Sequence, residues 1–259
     1  KNIKKLKGDN LSSSVKEYYN LLKEFLIFGG YPEVALKATK DEKISVLSSI
    51  FDLYVKKDLV EYLNIEKILS MKKLIEFLAV NNGQKIKYEK ISQLTQLNFE
   101  EIRKFIEILK ETYIIEILRP YYTNKNKELV KIPKIYFIDI GVRNFFINNF
   151  NDLSLREDSG FMFETFVLSE LKKQGNQNLR FWQDKNGYEI DIILEKDSML
   201  MPVEIKFKQS IKLDDFKGLN AFLKEYKKTK KSYLINLGSQ KTERKINLLL
   251  PYNLDVIYS

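Results

Sequence analysis

The residues of this chain best suited to chemistry are four carboxylates and a lysine. Two short runs carry most of them, Tyr188-Glu189-Ile190-Asp191-Ile192-Ile193-Leu194 and Val203-Glu204-Ile205-Lys206-Phe207. Successive side chains of a strand point to opposite faces, so Glu189 and Asp191 share one face, as do Glu204 and Lys206. Between the runs, Lys196-Asp197-Ser198-Met199 is a short polar hairpin candidate. A turn centred on Asp197-Ser198 sets Asp191 opposite Glu204 and Glu189 opposite Lys206, with opposed residues about 5 Å apart. Two carboxylates that close repel unless a cation lies between them. Mg²⁺ or Mn²⁺ answers that need, because a hard divalent ion takes carboxylate oxygens and fills its octahedron with water. Lys206 could polarise or deprotonate an attacking water, provided its pKa falls or it acts through a metal-bound water. The implied chemistry is metal-assisted hydrolysis of a phosphodiester. Glu164 interrupts the apolar run Phe161-Met162-Phe163-Glu164-Thr165-Phe166-Val167, where a carboxylate is costly unless paired or metal-bound. The expected metal ligands are therefore Asp191, Glu204 and Glu164, with Glu189 in support. The plainer alternative is a set of cross-strand ion pairs, Glu189 and Asp191 to Lys206, on a solvated sheet face.

The composition narrows the options. There is no histidine and no cysteine, which removes His-based triads, His- or Cys-ligated metals and disulfides. Catalysis would rest on carboxylates, lysines, hydroxyls and a hard metal. The 259 residues are 44% hydrophobic and 31% charged, as in a soluble globular protein of one large or two to three small domains. Net charge is +9 and the pI about 9.3, which suits a polyanionic partner, nucleic acid first. A Lys- and Ile-rich proteome would produce the same excess. No apolar run approaches the ~18 residues that span a bilayer, and no signal-peptide pattern follows Lys1. The expectation is a cytoplasmic protein without a membrane partner. The chain lacks an initiator Met, which leaves it open as a fragment of something longer.

Three segments must position the site. Residues 1–65 read as helical, with Val15, Tyr18, Tyr19, Leu22 and Phe25-Leu26 at helical spacing, a break at Gly29-Gly30-Tyr31-Pro32 and a second helix over 41–62. Residues 66–150 predict a winged helix. Helices at 71–80, 88–96 and 99–111 precede β-like runs at 113–118 and 134–138, and Asn98 caps the third helix. Candidate nucleic-acid contacts are Lys87, Lys90, Arg103, Lys104, Lys110 and the wing residues Lys125 and Lys127, with Lys85 nearby. Glu100, Glu101 and Glu107 leave the third helix with no net charge, so a protein-contact role stays open. Residues 151–259 predict the order αβββαβ. Helices fall at 160–174 and 214–226, strands at 179–183, 189–194, 203–207, 233–237 and 254–258. Pro202 should mark a strand start, an edge or a bulge. Trp182 reads as core beside Phe181, and Asp139 as a turn or cap residue.

The placement of Glu164 on a helix, then Glu189-x-Asp191 and Glu204-x-Lys206 on strands, resembles the PD-(D/E)xK nuclease superfamily, with Glu189-x-Asp191 where the Pro-Asp of that pattern stands. A wider resemblance rests on Phe28-Gly29-Gly30-Tyr31-Pro32-Glu33, Phe137-Ile138-Asp139-Ile140-Gly141, Phe163-Glu164-Thr165-Phe166-Val167, Phe181-Trp182 and Val203-Glu204-Ile205-Lys206. These are similar to the C-terminal region of archaeal and bacterial AAA+ ATPases known as domain of unknown function 4143. The resemblance implies an α+β or α/β chain: an N-terminal helical segment, a winged helix-turn-helix and a restriction-endonuclease-like domain. It also implies an ATPase part in the longer protein, through which homo-oligomers would form. No G-x-x-x-x-G-K-[ST] motif occurs here, so ATP binding is expected only of that longer protein. Two functions follow. One is a Mg²⁺- or Mn²⁺-dependent nuclease acting on nucleic acid, DNA first. The other is a non-enzymatic regulatory half that binds DNA or a protein.

Overall fold

The computed structural model describes residues 10–54, 65–123, 131–175, 178–196, 199–227, 229, 231–243 and 245–257. In chain order the elements are α1 (Asn10–Phe28), α2 (Pro32–Ala35), α3 (Lys40–Tyr54), α4 (Ile65–Val80), α5 (Tyr88–Thr95), α6 (Phe99–Glu111), β1 (Ile115–Pro120), β2 (Lys134–Phe137), α7 (Ile140–Phe146), α8 (Ser159–Lys173), β3 (Arg180–Gln183), β4 (Glu189–Lys196), β5 (Met199–Ile205), α9 (Lys217–Glu225), β6 (Ser232–Ile235), β7 (Lys241–Glu243) and β8 (Ile246–Leu249). Short 3₁₀ turns occupy Leu153–Leu155, Leu213–Phe216 and Pro251–Ile257. No helix among the described residues is long and apolar enough to cross a membrane.

The architecture is mixed α/β, with an eight-stranded sheet in the order β2-β1-β3-β4-β5-β6-β8-β7. Strand β1 pairs antiparallel with β2 and parallel with β3, so the ribbon expected as a wing is continuous with the main sheet. The β3-β4-β5 meander is antiparallel, and β6 adds parallel to β5. The chain divides into two compact units, one from residues 1–79 with 139–156, the other from 80–138 with 157–259. These units cut across the three segments read from the sequence, since α4 as far as Ala79 and α7 group with the N-terminal helices.

In the first unit, the Gly29-Gly30 break has a geometric cause. Gly29 has φ +82°, and a Cβ there would stand 2.1 Å from Asp139 Oδ1. The Gly30 N–H donates to Asp139 Oδ2 at 2.7 Å, while Asp139 Oδ1 accepts from Val142 N at 3.0 Å and caps α7. The cap role read for Asp139 is what the structure shows.

In the second unit, Asn98 and Glu101 form the reciprocal capping box that starts α6. Leaving α6, Tyr113 takes φ +59°, which is why β1 begins at Ile115 rather than 113. Ile190, Ile193, Phe216, Leu219, Phe222, Leu234, Ile246 and Leu248 form the core between α9 and the sheet, with Trp182. Trp182 is buried and meets Phe222 edge-on at 5.2 Å, as the core reading required.

Other boundaries differ from expectation. The strand expected at 203–207 runs from Met199 to Ile205 and takes in Pro202 opposite Ile193. Pairing with β6 begins only at Val203, so the proline lies just before the doubly paired stretch. The strand expected at 254–258 is absent over 254–257, and Tyr258 lies outside the described residues. Residues Pro251–Ile257 turn as 3₁₀ helix, and β8 ends at Leu249 before a proline whose fixed φ favours turning. The helix expected at 214–226 begins as a 3₁₀ turn. The second helix is described only to Tyr54, and residues 55–62 of it lie outside the described residues.

Candidate functional site

Strands β4 and β5 bring the predicted carboxylates together. Their register, Lys196↔Met199 through Ile192↔Val203, carried one step further sets Asp191 opposite Glu204, the pairing expected from the turn position. The turn residues Asp197 and Ser198 lie outside the described residues. On its other side β4 is irregular. Arg180 pairs with Ile193 but Trp182 pairs with Ile190, so β4 spends one more residue than β3 across this stretch. This bulge resets the alternation. Ile190 and Ile193 both enter the α9 core, whereas strict alternation would put Ile193 on the face of Glu189 and Asp191.

Asp191 and Glu204 are 8% and 5% exposed, depths at which paired or metal-bound carboxylates are the norm. Asp191 Oδ2 accepts from Ile205 N at 2.7 Å. Lys206 Nζ lies 2.5 Å from Glu204 Oε1, while Glu204 Oε2 is buried with no hydrogen-bond partner among the described residues. From α8, Glu164 Oε2 accepts from the buried Tyr136 hydroxyl at 3.1 Å. Gly83, with φ +78°, leaves room for this contact, since a Cβ there would stand 2.9 Å from Phe161 and 3.1 Å from Tyr136.

Proton affinities follow from this crowding. Burial, then the charge of Asp191, pushes the Glu164 carboxyl up to about 8. Burial raises Glu204 well above the usual range, again with Asp191 adding to the effect. Asp191 is also raised by burial, against Lys134, Lys206 and the Ile205 N–H. For Lys206 burial opposes the charge, but Glu204 and Asp191 outweigh it and hold the ammonium above the pKa of a free lysine. Lys206 is therefore held protonated beside these carboxylates, which leaves action through a metal-bound water as the way it would assist.

Sequence reasoning missed Lys134. This β2 lysine is buried, its ammonium pairs with Glu189, and Glu164, Asp191 and Glu189 hold its proton against burial. Lys85 stands 4.0 Å from Glu189 Oε2 and donates to Gln183 Oε1, and burial lowers its pKa. Glu189 thus answers to Lys134 and Lys85, not to Lys206 as the hairpin register alone suggested. Both lysines lie over the Phe181 ring, at 5.0 and 5.3 Å from its centroid. Tyr136 and Asn82 were missed too. Asn82 Oδ1 accepts from Phe137 N and its Nδ2 donates to Thr165 Oγ1, each at 2.8 Å, which ties β2 to α8. A lysine heading a four-residue apolar strand was the available signal, and Asn82 lay hidden inside a turn pattern.

The expected nucleic-acid residues lie elsewhere in this unit. Lys87, Lys90, Arg103 and Lys104 are exposed on or beside α5 and α6. Lys110 is engaged by Glu107 at 3.2 Å and Glu111 at 3.0 Å. Lys125 and Lys127 lie outside the described residues. Among the described residues, no group of three or more Asp or Glu side chains is placed to hold a metal ion. What is present is an open pair, Asp191 and Glu204, with an oxygen of Glu204 unclaimed and Glu164 beside it. That donor set fits a hard divalent ion.

Two families match the chain in succession. Residues 19–153, more than half of it, match the family described as domain of unknown function DUF8612, and residues 159–254 match domain of unknown function DUF4143. The chain belongs to the DUF8612 family, and the segment that follows matches DUF4143. The likeness to DUF4143 read across nearly the whole sequence is thus confined to the last part, and Phe28–Glu33 and Phe137–Gly141 fall within the other family. Among curated proteins it is similar to uncharacterized protein MJ1544 of Methanocaldococcus jannaschii, 28% identical over 87% of this chain and 50% of that one. An uncharacterized protein of Haemophilus influenzae is 25% identical over 78% of this chain and 50% of its own length. This chain spans about half the length of these relatives. Among solved structures, protein VC1899 from Vibrio cholerae aligns over 88% of this chain and 55% of its own, at 14% identity and a TM-score of 0.29.

Proposed function

We propose that the second unit is a divalent-metal-dependent phosphodiesterase of the restriction-endonuclease type, acting on nucleic acid. The observation that carries this reading is the buried Asp191 and Glu204 pair, with one oxygen of Glu204 unclaimed and a protonated Lys206 alongside. Asp191 and Glu204, assisted by Glu164, would hold Mg²⁺ or Mn²⁺. When bound, the ion would lower the pKa of a coordinated water and offset charge on the phosphate. The protein's own contribution is electrostatic. Lys206 and Lys134 hold positive charge beside the carboxylates, and their ammonium groups suit a phosphate oxygen. Helices α5 and α6, the β1-β2 hairpin and the Lys85↔Lys134 bridge resemble part of a winged helix, which would hold DNA near the site. In the longer protein an ATPase part would supply ATP binding and assembly.

The test is Mn²⁺ binding by calorimetry together with cleavage of DNA and RNA in Mg²⁺ or Mn²⁺. Asp191→Ala is expected to abolish both. Absence of cleavage, with Mn²⁺ affinity unchanged in Asp191→Ala, overturns the reading. A second reading has its own support. Lys134 and Lys206 already neutralise much of the acidic charge, and no group of three or more acidic side chains placed to hold a metal ion is found among the described residues. The unit would then be a metal-free binding module, and DNA retention would survive Asp191→Ala.

A further inference from the structure

Beside the carboxylate cluster, at the end of β3 that carries Trp182 and Gln183, lies a groove of about 660 Å³. Lys85, Lys131 and Lys185 line it, with the part-exposed rings of Tyr122 and Tyr226 and a floor that includes Trp182. Two acids also line it, and both are engaged within the protein. Asp184 accepts from the N–H groups of Asn186 at 2.8 Å and Tyr188 at 2.9 Å, and Glu225 is hydrogen-bonded to the Tyr226 hydroxyl. Lys131 and Lys185, by contrast, are exposed and have no carboxylate partner among the described residues. The lining carries three lysines to two acids, and its two exposed lysines stand beside aromatic rings. Lys85 joins it to the site, because its ammonium donates to Gln183 in the groove wall and faces Glu189 at 4.0 Å.

We infer that this groove binds a single strand of nucleic acid and leads it to the carboxylates. The volume suits one or two nucleotides rather than a stretch of duplex. Lysines meet phosphates, and the part-exposed Tyr122 ring offers a face to an unstacked base, which a paired duplex does not present, while Tyr226 already stacks on Phe222. The inference rests on the nucleic-acid reading above, but it needs no metal ion.

The test is fluorescence anisotropy of labelled oligo(dT) and oligo(U) twelve-mers, and of a blunt DNA duplex of equal length, in EDTA. The wild-type chain is expected to bind the single strands more tightly than the duplex, and the two oligomers separate DNA from RNA. Lys131→Gln and Lys185→Gln should each weaken single-strand binding several-fold and shallow the salt dependence by about 0.7 in log–log slope. Tyr122→Ala should weaken it about tenfold, the loss of one stacked base. All three positions are at least partly exposed, so circular dichroism and Mn²⁺ affinity should match wild type. Unchanged oligomer affinity in the three variants overturns the inference, as does no binding by wild type or a preference for duplex. Loss of Mn²⁺ binding in Asp191→Ala would still stand in each of those cases, so failure of the groove is distinct from failure of the metal site.

Discussion

Each unit buries a knot of polar side chains, and the two knots are built on opposite plans. In the first unit, Asn144 Nδ2 donates to the carbonyls of Leu26 at 3.0 Å and Ile27 at 2.8 Å. Its Oδ1 accepts from Arg143 at 3.1 Å and Arg156 at 2.9 Å, and Arg143 Nε reaches the Ala79 carbonyl at 2.7 Å. Donors there meet neutral acceptors, many of them backbone. In the second unit, carboxylates crowd one another, two lysines hold them in place and one oxygen is left over. A satisfied network fastens chain to chain. A cluster in mutual repulsion stores unfavourable energy that a ligand can release, which is where functional sites are found.

That contrast can be broken experimentally. The largest effect is expected from Lys134→Met, which strands Glu189 and its neighbours without their buried cation. It should cost about 3–5 kcal/mol in urea denaturation at pH 8, as losing one partner of a buried pair does. Equal stability of this variant and wild type would show that Lys134 is not a counter-ion. Next, Asn144→Ala leaves two guanidinium groups and two carbonyls short of partners, and should cost about 3 kcal/mol with no change in Mn²⁺ affinity. If it lowered Mn²⁺ affinity, the separation between a fastening knot and a functional one would collapse. In the opposite direction, Glu204→Gln removes a repelling charge and should stabilise by about 1 kcal/mol while ending Mn²⁺ binding. A loss of stability there would mean that the cluster is not frustrated.

A further effect is a slope with pH. Glu164 titrates near 8 when folded and close to 4.5 when free, so the folded protein binds the extra proton between those values. Stability from this group is present below about pH 4.5 and is lost as pH rises toward 8. Denaturation midpoints should fall over that window, and Glu164→Gln should flatten the fall. An equal slope in the variant removes Glu164 as its source.

The contrast also explains what the sequence could reveal. Asp191 opposite Glu204 was legible because alternation and a short polar connection fix a hairpin register locally. The capping box at Asn98 and Glu101 and the core role of Trp182 were legible for similar reasons. Lys134 and Tyr136 were not, because they meet the carboxylates through the parallel β1-β3 pairing, which no local pattern encodes, and Asn82 was not, because its partners Phe137 and Thr165 lie far along the chain. The bulge in β4 was equally hidden, since it exists only relative to β3. At 254–258 the alternation of Leu254, Val256 and Tyr258 suggested a strand, but the turn-forming Pro251 begins a 3₁₀ segment instead.

The parallel join of Arg119 with Arg180 has a consequence during synthesis. About 60 residues of chain separate the two strands, so the free edge of β1 emerges from a ribosome well before its neighbour exists. At ~5–20 residues per second the edge waits roughly 3–12 seconds without a partner. An unpaired edge of that kind invites pairing with another nascent chain. Lys134 is made in the same interval, before any of the four carboxylates it will neutralise. The acidic cluster is therefore assembled onto a cation already in the chain, and slower translation across residues 121–179 would prolong the dangerous wait.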